Sequence, residues 1–255
     1  MEKIERKYKL KPIEELEDAF FEFLKDLDPG KKYDVILVDD TSARIPSLAL
    51  KKILEKIYNK KIEIYFLSVQ DYSEKDFEKL SQKIKNKKVL FFTENTFSGI
   101  TMAKVINFLT KLNVDFDVSS LFYSKDSFKS KKHFEDYFRK IFPNFKGNFL
   151  LGKLTSEAPL ITFNHLKPFI GVVKTHEGIK IIEKLDKKGL KYYLSLLDAE
   201  GIKKIFKEGE EIKIENLDKT TIAKLRELIR KEVDLLVEKI LEKYKKSYFS
   251  TWERN

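Results

Sequence analysis

The sequence contains no cysteine, three histidines and six arginines against 45 lysines, and it has no apolar run approaching the roughly 20 residues of a membrane span. Each shortage removes a class of function. Without cysteine there are no disulfides, no thiolate catalysis and no Cys-based metal site. His133, His165 and His176 share no short metal-ligand spacing, so a zinc site built from histidines alone is not expected. The longest apolar stretches, Val35 to Val38 and Ile62 to Val69, suit buried strands and no membrane association is expected. The opening residues, MEKIERKYKLKPIEELEDAFFEF, alternate charge with apolar positions and lack a small-residue cleavage site, so no secretory signal is read and a cytoplasmic location is expected.

The formal charge of +10 and a pI near 9.3 suit an anionic ligand. The scarcity of arginine argues against nucleic acid as the favoured partner, because phosphate and groove recognition use the planar arginine fork. Phosphate loops of the GxGxxG and GxxxxGK[ST] types are absent, as is the GxSxG turn of esterase nucleophiles.

What is present is enough apolar residue, 42% of 255, to bury a substantial core. PIEELEDAFFEFLKDL, from Pro12 to Leu27, places apolar residues at helical spacing behind a proline suited to a first turn. From Tyr33 onward short strands and helices alternate: YDVILV, PSLALKKILEKIYNK, KIEIYFLSV, SEKDFEKLSQKIKNK with a Ser-x-x-Asp start, KVLFF, ITMAKVINFLTKL and VDFDVSSLFYS. That alternation predicts an α/β fold, a Rossmann-like parallel sheet flanked by helices on both faces. Residues 1–176 are expected to form this domain, with a core over about 33–125 and a capping region over about 146–176. A helical carboxy-terminal module is expected over 177–255, beginning with GIKIIEKLDKKG. Its long final segment carries an apolar stripe of Ile222, Leu225, Ile229, Val233, Leu236, Ile240 and Tyr244, suited to packing on its own domain or on a second subunit.

Ligands of open parallel sheets bind beyond the carboxyl ends of the strands. Two of the loops there are chemically unusual. After the third strand, TENTFSGIT places Ser98, Gly99 and Thr101 at a helix amino end, where unpaired N–H groups favour an anion and glycine permits close approach. Hydroxyls of Thr96, Ser98 and Thr101 add donors, and Glu94 is expected to accept hydrogen bonds from vicinal sugar hydroxyls. After the first strand, DDTSARIPS clusters Asp39, Asp40, Thr41, Ser42 and Arg44, a set suited to a diphosphate, a metal or a sugar. An ordinary helix cap and a solvated turn are the alternative readings, and the pair Asp39 and Asp40 also admits metal-dependent phosphotransfer.

Together these residues resemble the type I phosphoribosyltransferase family, whose signature is an apolar strand, two acids, a short polar stretch, then Ser/Thr, Gly, any residue and Thr. Here it reads VLFF, Thr93 and Glu94, NTF, then Ser98, Gly99, Ile100 and Thr101. The resemblance spans roughly Tyr33 to Lys125. It implies that Glu94 contacts the ribose of 5-phosphoribosyl 1-diphosphate, and that Asn95, Thr96, Phe97, Ser98, Gly99, Ile100 and Thr101 wrap the 5-phosphate. It also implies that the loop of Asp39, Asp40, Thr41, Ser42, Ala43 and Arg44 faces the diphosphate with Mg2+, Glu94 and Arg44 being the catalytic pair. A nucleobase or another nitrogen acceptor would displace the diphosphate, and a nucleoside monophosphate would bind as product. A homodimer is expected by family habit and from the striped helix.

Three positions depart from the signature. Thr93 stands where the first acid is expected, Phe97 is bulky where a small residue is usual, and Ile45 follows Arg44 where glycine is frequent. The departures keep two alternatives open: a catalytically silent relative binding phosphoribosyl diphosphate, a nucleotide, RNA or a protein partner, and an unrelated nucleotide-binding or interaction protein.

Overall fold

A computed structural model describes residues 7–39, 43–67, 74–156, 172–175, 178–181, 206–207 and 219–252. After helix α1 (Lys11–Lys25) the chain alternates β1 (Val35–Asp39), α2 (Arg44–Tyr58), β2 (Glu63–Leu67), α3 (Glu74–Ile84), β3 (Lys88–Thr96), α4 (Ile100–Lys111), β4 (Asp115–Ser124), α5 (Lys131–Ile141) and β5 (Phe149–Thr155). The five strands form one parallel sheet in the order β2-β1-β3-β4-β5. The expected α/β class is what is observed.

Strand alternation explains why the strands read as continuous apolar runs. Ile36, Val38, Leu90 and Phe92 enter a core on one face, while Val35, Leu37, Val89 and Phe91 enter a second core on the other. A sheet covered on both sides favours apolar residues on both faces of its central strands, as along β1 and the first half of β3. Helices α1 and α2 cover the first face and α3, α4 and α5 the second.

Two expectations are corrected. Residues 149–155, expected within a cap, form the fifth strand of the main sheet. Phe149, Leu150 and Leu151 are all buried, with Leu150 in one core and its two neighbours in the other. Of the rest of that expected cap, residues 172–175 form a strand, and residues 157–171 and 176 lie outside the described residues. Gly178–Ile181, expected to begin a helix, is instead strand β7, paired antiparallel with β6 (Val172–Thr175) from Val172 opposite Ile181 to Thr175 opposite Gly178. The run GIKI is too short for its period to separate helix from strand. Ser73, the first residue of the Ser-x-x-Asp start of α3, and the stretches 182–205 and 208–218 also lie outside the described residues.

The long helix α6 (Lys219–Trp252) lies on the first face. Leu225, Ile229, Val233, Leu236 and Ile240 are buried in the same core as Ile13, Phe20 and Leu50, from α1 and α2. Ile222 has no described side-chain environment. The stripe is therefore taken up within the chain itself. Polar contacts fix the seam: the Glu232 carboxylate accepts the backbone N–H of Lys9 at 2.8 Å and of Leu10 at 3.2 Å. Lys243 pairs with Glu17, which also accepts the Tyr8 hydroxyl at 2.8 Å.

At the amino end of the sheet a buried polar cluster joins β4 to the loop before β1. Asp117 accepts from Lys31 at 2.8 Å, from Tyr33 at 2.5 Å and from the Asn148 N–H at 2.7 Å. Burial, then the Asp117 charge, push the Tyr33 hydroxyl far above its ordinary pKa, so it stays a donor.

Because α6 shares a core with α1 and α2, Leu236→Ala should destabilise the whole protein by about 2–5 kcal/mol. Urea unfolding followed by far- and near-UV circular dichroism should shift as one transition. A loss confined to part of the helical signal would mean that α6 is energetically separate from the sheet.

Candidate functional site at the β1–β3 switch point

In the order β2-β1-β3-β4-β5, the chain leaves β1 toward β2 and leaves β3 toward β4. Adjacent parallel strands whose connections depart in opposite directions open a crevice at their carboxyl ends, the usual ligand position in such sheets. The last paired residues are Val38 and Phe92. Asp39 and Thr93 come next. The Thr93 hydroxyl lies 3.4 Å from Asp39 Oδ2 and 3.3 Å from the Asn95 carbonyl oxygen. The two sequence-predicted loops therefore start from neighbouring points.

The turn after β3 is shorter than the sequence suggested. Glu94, Asn95 and Thr96, expected in the loop, extend the strand, with Asn95 opposite Phe122 and Thr96 opposite Tyr123. The Thr96 hydroxyl donates to Ser120 Oγ at 2.8 Å, and Ser120 in turn donates to the Phe122 carbonyl at 2.5 Å. Ser120 on β4 thus satisfies Thr96 at the end of β3, a partnership set by strand order and invisible along the chain. Burial pushes the Tyr123 hydroxyl above its ordinary pKa, which keeps it neutral beside this strand end.

Only Phe97, Ser98 and Gly99 remain as the turn. Gly99 is the α4 N-cap, with φ +76°, and a Cβ there would sit 2.7 Å from Cζ of Phe138 on α5. Glycine is required twice, for the left-handed backbone and for the close approach of the ring. Ser98 and Ile100 are exposed, so the amino end of α4 opens to solvent. Phe97, at 39% exposure, and Ile100, at 62%, flank it as apolar shoulders.

Helix α2 begins at Arg44 with Ala43 as its N-cap. The Arg44 guanidinium lies 4.2 Å from the centre of the Phe66 ring, near the end of β2. Asp40, Thr41 and Ser42 lie outside the described residues. Neither α2 nor α4 carries an acid in its first turn, whereas α1 has Glu14 there, and among the described residues neither α2 nor α4 receives a side-chain cap. The positive ends of both helices lie at the same end of the sheet.

The two carboxylates differ in setting. Glu94 is 1% exposed, and strand alternation from Leu90 and Phe92 places it on the α1/α2 face. Asp39 is partly exposed and follows Val35 and Leu37 on the α4 face. Both amide atoms of Asn95 are buried without a hydrogen-bond partner among the described residues, an expense usually met by a ligand or water. No group of three His, Asp or Glu side chains converges among the described residues. His133, on α5, accepts the Lys129 N–H at 3.1 Å, while His165 and His176 lie outside the described residues. An open, lysine-lined groove of about 480 Å³ between Lys52, Lys56 and Lys60 lies near the carboxyl end of α2, remote from this crevice. Among the described residues no helix is long and apolar enough to cross a membrane.

No family model matches the chain, and no curated protein is detectably similar. Among solved structures, it is similar in fold to an HGPRT-ase from Leishmania tarentolae in complex with GMP, at 10% identity and a TM-score of 0.34, over 49% of this chain and 75% of that one. A hypothetical protein from Neisseria gonorrhoeae with bound ppGpp gives 18% identity and a TM-score of 0.38, over 58% and 81%. A purine phosphoribosyltransferase from Pyrococcus horikoshii gives 18% and 0.30, over 44% and 73%. At such identities and scores the similarity carries no argument about ligand or activity, which rest on the residues above.

The backbone at Gly99 yields a direct expectation. Gly99→Ala should destabilise the protein by about 1–3 kcal/mol, the cost of holding a side chain at positive φ against Phe138. Urea titration with a fixed m-value checks it. An unchanged midpoint would mean that the turn relaxes freely and that α4 does not start where described.

Proposed function

We propose that this protein binds 5-phosphoribosyl 1-diphosphate at the β1–β3 switch point and transfers the phosphoribosyl group to a nitrogen acceptor such as a nucleobase. The observation that supports this reading is the adjacency of Asp39 and Thr93, from which the two loops start, beside two helix starts that have no side-chain cap among the described residues. A ligand with a phosphate at each end and a polyol between them matches that arrangement. The 5-phosphate would take the amino end of α4, with N–H groups of Ser98 to Thr101, the Ser98 and Thr101 hydroxyls and the Asn95 amide as donors. The diphosphate would take the amino end of α2, where Arg44 adds a cation.

Magnesium fits this assignment as a partner of the ligand: the sequence offers the acids Asp39 and Asp40 at the end of β1, and no group of three His, Asp or Glu side chains converges among the described residues. When bound, the ion would neutralise diphosphate charge. In the reaction, the acceptor nitrogen forms a bond to C1 of the ribose while the C1–O bond breaks, and the diphosphate leaves with the electron pair. The nitrogen then loses its proton. Arg44 and the α2 amino end would stabilise charge on the leaving diphosphate, while α4 would hold the sugar in position. A nucleoside monophosphate is the corresponding product.

Thr93, in place of an acid, favours a second reading in which the same ligand binds without turnover. Mixing the protein with magnesium, the diphosphate donor and a panel of nucleobases should release diphosphate with at least one base. Arg44→Ala should slow release by at least tenfold, the effect expected for one charge-assisted contact of about 1.5–3 kcal/mol. A thermal shift with the donor but no diphosphate from any base would select the silent binder. No shift with any phosphoribosyl ligand would remove both readings.

A further inference from the structure

We infer that the amino-terminal rim of the sheet, at the opposite end from the β1–β3 crevice, is a binding surface for the phosphate backbone of a nucleic acid. The inference does not depend on the phosphoribosyl reading. It starts from a repeat along the chain: GKK at residues 30–32, NKK at 59–61 and NKK at 86–88 stand at the entrances of β1, β2 and β3. These strands are neighbours in the sheet, in the order β2-β1-β3. Three lysine pairs from distant parts of the sequence are thereby set side by side, about 4.8 Å from strand to strand. The sheet ladder continues into the entrances, with the Glu63 N–H donating to the Asp34 carbonyl at 3.0 Å and the Asp34 N–H to the Lys88 carbonyl at 2.9 Å.

The two lysines of each pair differ in setting. The first neutralises an acid of the protein itself: Lys31 pairs with Asp117 at 2.8 Å, Lys60 with Asp34 at 2.5 Å and Lys87 with Glu63 at 2.7 Å. The second, Lys32, Lys61 or Lys88, is exposed and has no ion-pair partner among the described residues. Helix ends do not account for this surplus. Helices α1, α2 and α3 already carry Lys25, Lys56 and Lys83 in their last turns, where a cation complements the dipole. Nor does the turn require it. Asn59, Asn86 and Asn113 follow three successive helices with φ of 48°, 59° and 51°, yet the Asn113 turn enters β4 through Val114 and Asp115.

Lysine meets phosphate as a point charge and reads no base, so the scarcity of arginine, which argues against groove recognition, leaves this mode of binding open. The groove of about 480 Å³ at the carboxyl end of α2 has Lys60 and Lys61 in its lining, and it continues the row beyond β2 as a concave path suited to a strand. Glu55, in the same lining, is engaged by the Ile62 N–H at 3.0 Å. A lipid surface would call for apolar side chains among the cations. Here Asn59 and Asn86 accompany them, and Tyr33, Ile62 and Val89, the residues that follow each pair, are buried.

Fluorescence anisotropy of a labelled single-stranded RNA, titrated with the full chain over a range of salt concentrations, tests the assignment. Two RNAs of unrelated sequence should bind alike. The triple variant Lys32→Gln, Lys61→Gln, Lys88→Gln should weaken binding by about 10- to 100-fold at 0.1 M salt, and make the slope of log K against log salt shallower by about 2. A control triple with the same change in charge, Lys125→Gln, Lys129→Gln, Lys224→Gln, should change neither by as much as half of that. Urea midpoints verify that both triples fold; were the rim triple unfolded, each of its single substitutions should still reduce the slope by about 0.7. Equal weakening by the two triples means attraction by overall charge and overturns the assignment. So does the absence of RNA binding by the wild type at low salt. Capture of the wild type by anionic phospholipid vesicles, lost in the rim triple and unaccompanied by RNA binding, overturns it in favour of a lipid surface.

Discussion

The pairing of β1 with β3, followed by departure of the chain in opposite directions, is the constraint on which the site depends. Parallel strands lie about 4.8 Å apart. Residues one step beyond the last ladder pair are therefore forced close together whatever their separation in sequence. Asp39 and Thr93 meet for this reason. Their proximity is maintained by the two apolar cores that clamp the strands from both faces, Val38 and Phe92 on one side, Leu37 and Phe91 on the other. The polar crevice is thus a boundary property of the hydrophobic sheet.

The chemistry at that boundary is divided between the two helices that leave it. Helix α2 offers its amino end and Arg44, and α4 offers its amino end and the left-handed turn at Gly99. With no acid in either first turn, neither helix offsets its own positive end. Helix α6 and the amino-terminal segment it grips through Glu232 serve this arrangement indirectly, by completing the core under α1 and α2.

Much of the fold was legible because a sheet buried on both faces writes itself as short apolar runs, VILV and VLFF, separated by amphipathic helices. The left-handed turn before α4 was legible for a local reason: a single glycine at a strand-to-helix turn marks a backbone that needs positive φ, and Gly99 has it. What could not be read is non-local. The extension of β3 through Thr96 depends on Ser120 of β4, and the different settings of Glu94 and Asp39 depend on which strand lies beside which. Residues 149–155 and Gly178–Ile181 show the same limit: a few apolar residues become sheet or hairpin through partners distant in the chain. The apolar stripe of the last helix was legible, but its partner, the chain's own α1 and α2, was not.

Convergence of the two loops into one pocket is tested most directly by nuclear magnetic resonance of uniformly labelled protein titrated with 5-phosphoribosyl 1-diphosphate and magnesium. Backbone amide shifts of residues 39–44 and of residues 94–101 should move together, along curves described by a single dissociation constant. Movement of only one of the two segments, or of each with its own constant, would contradict a shared pocket.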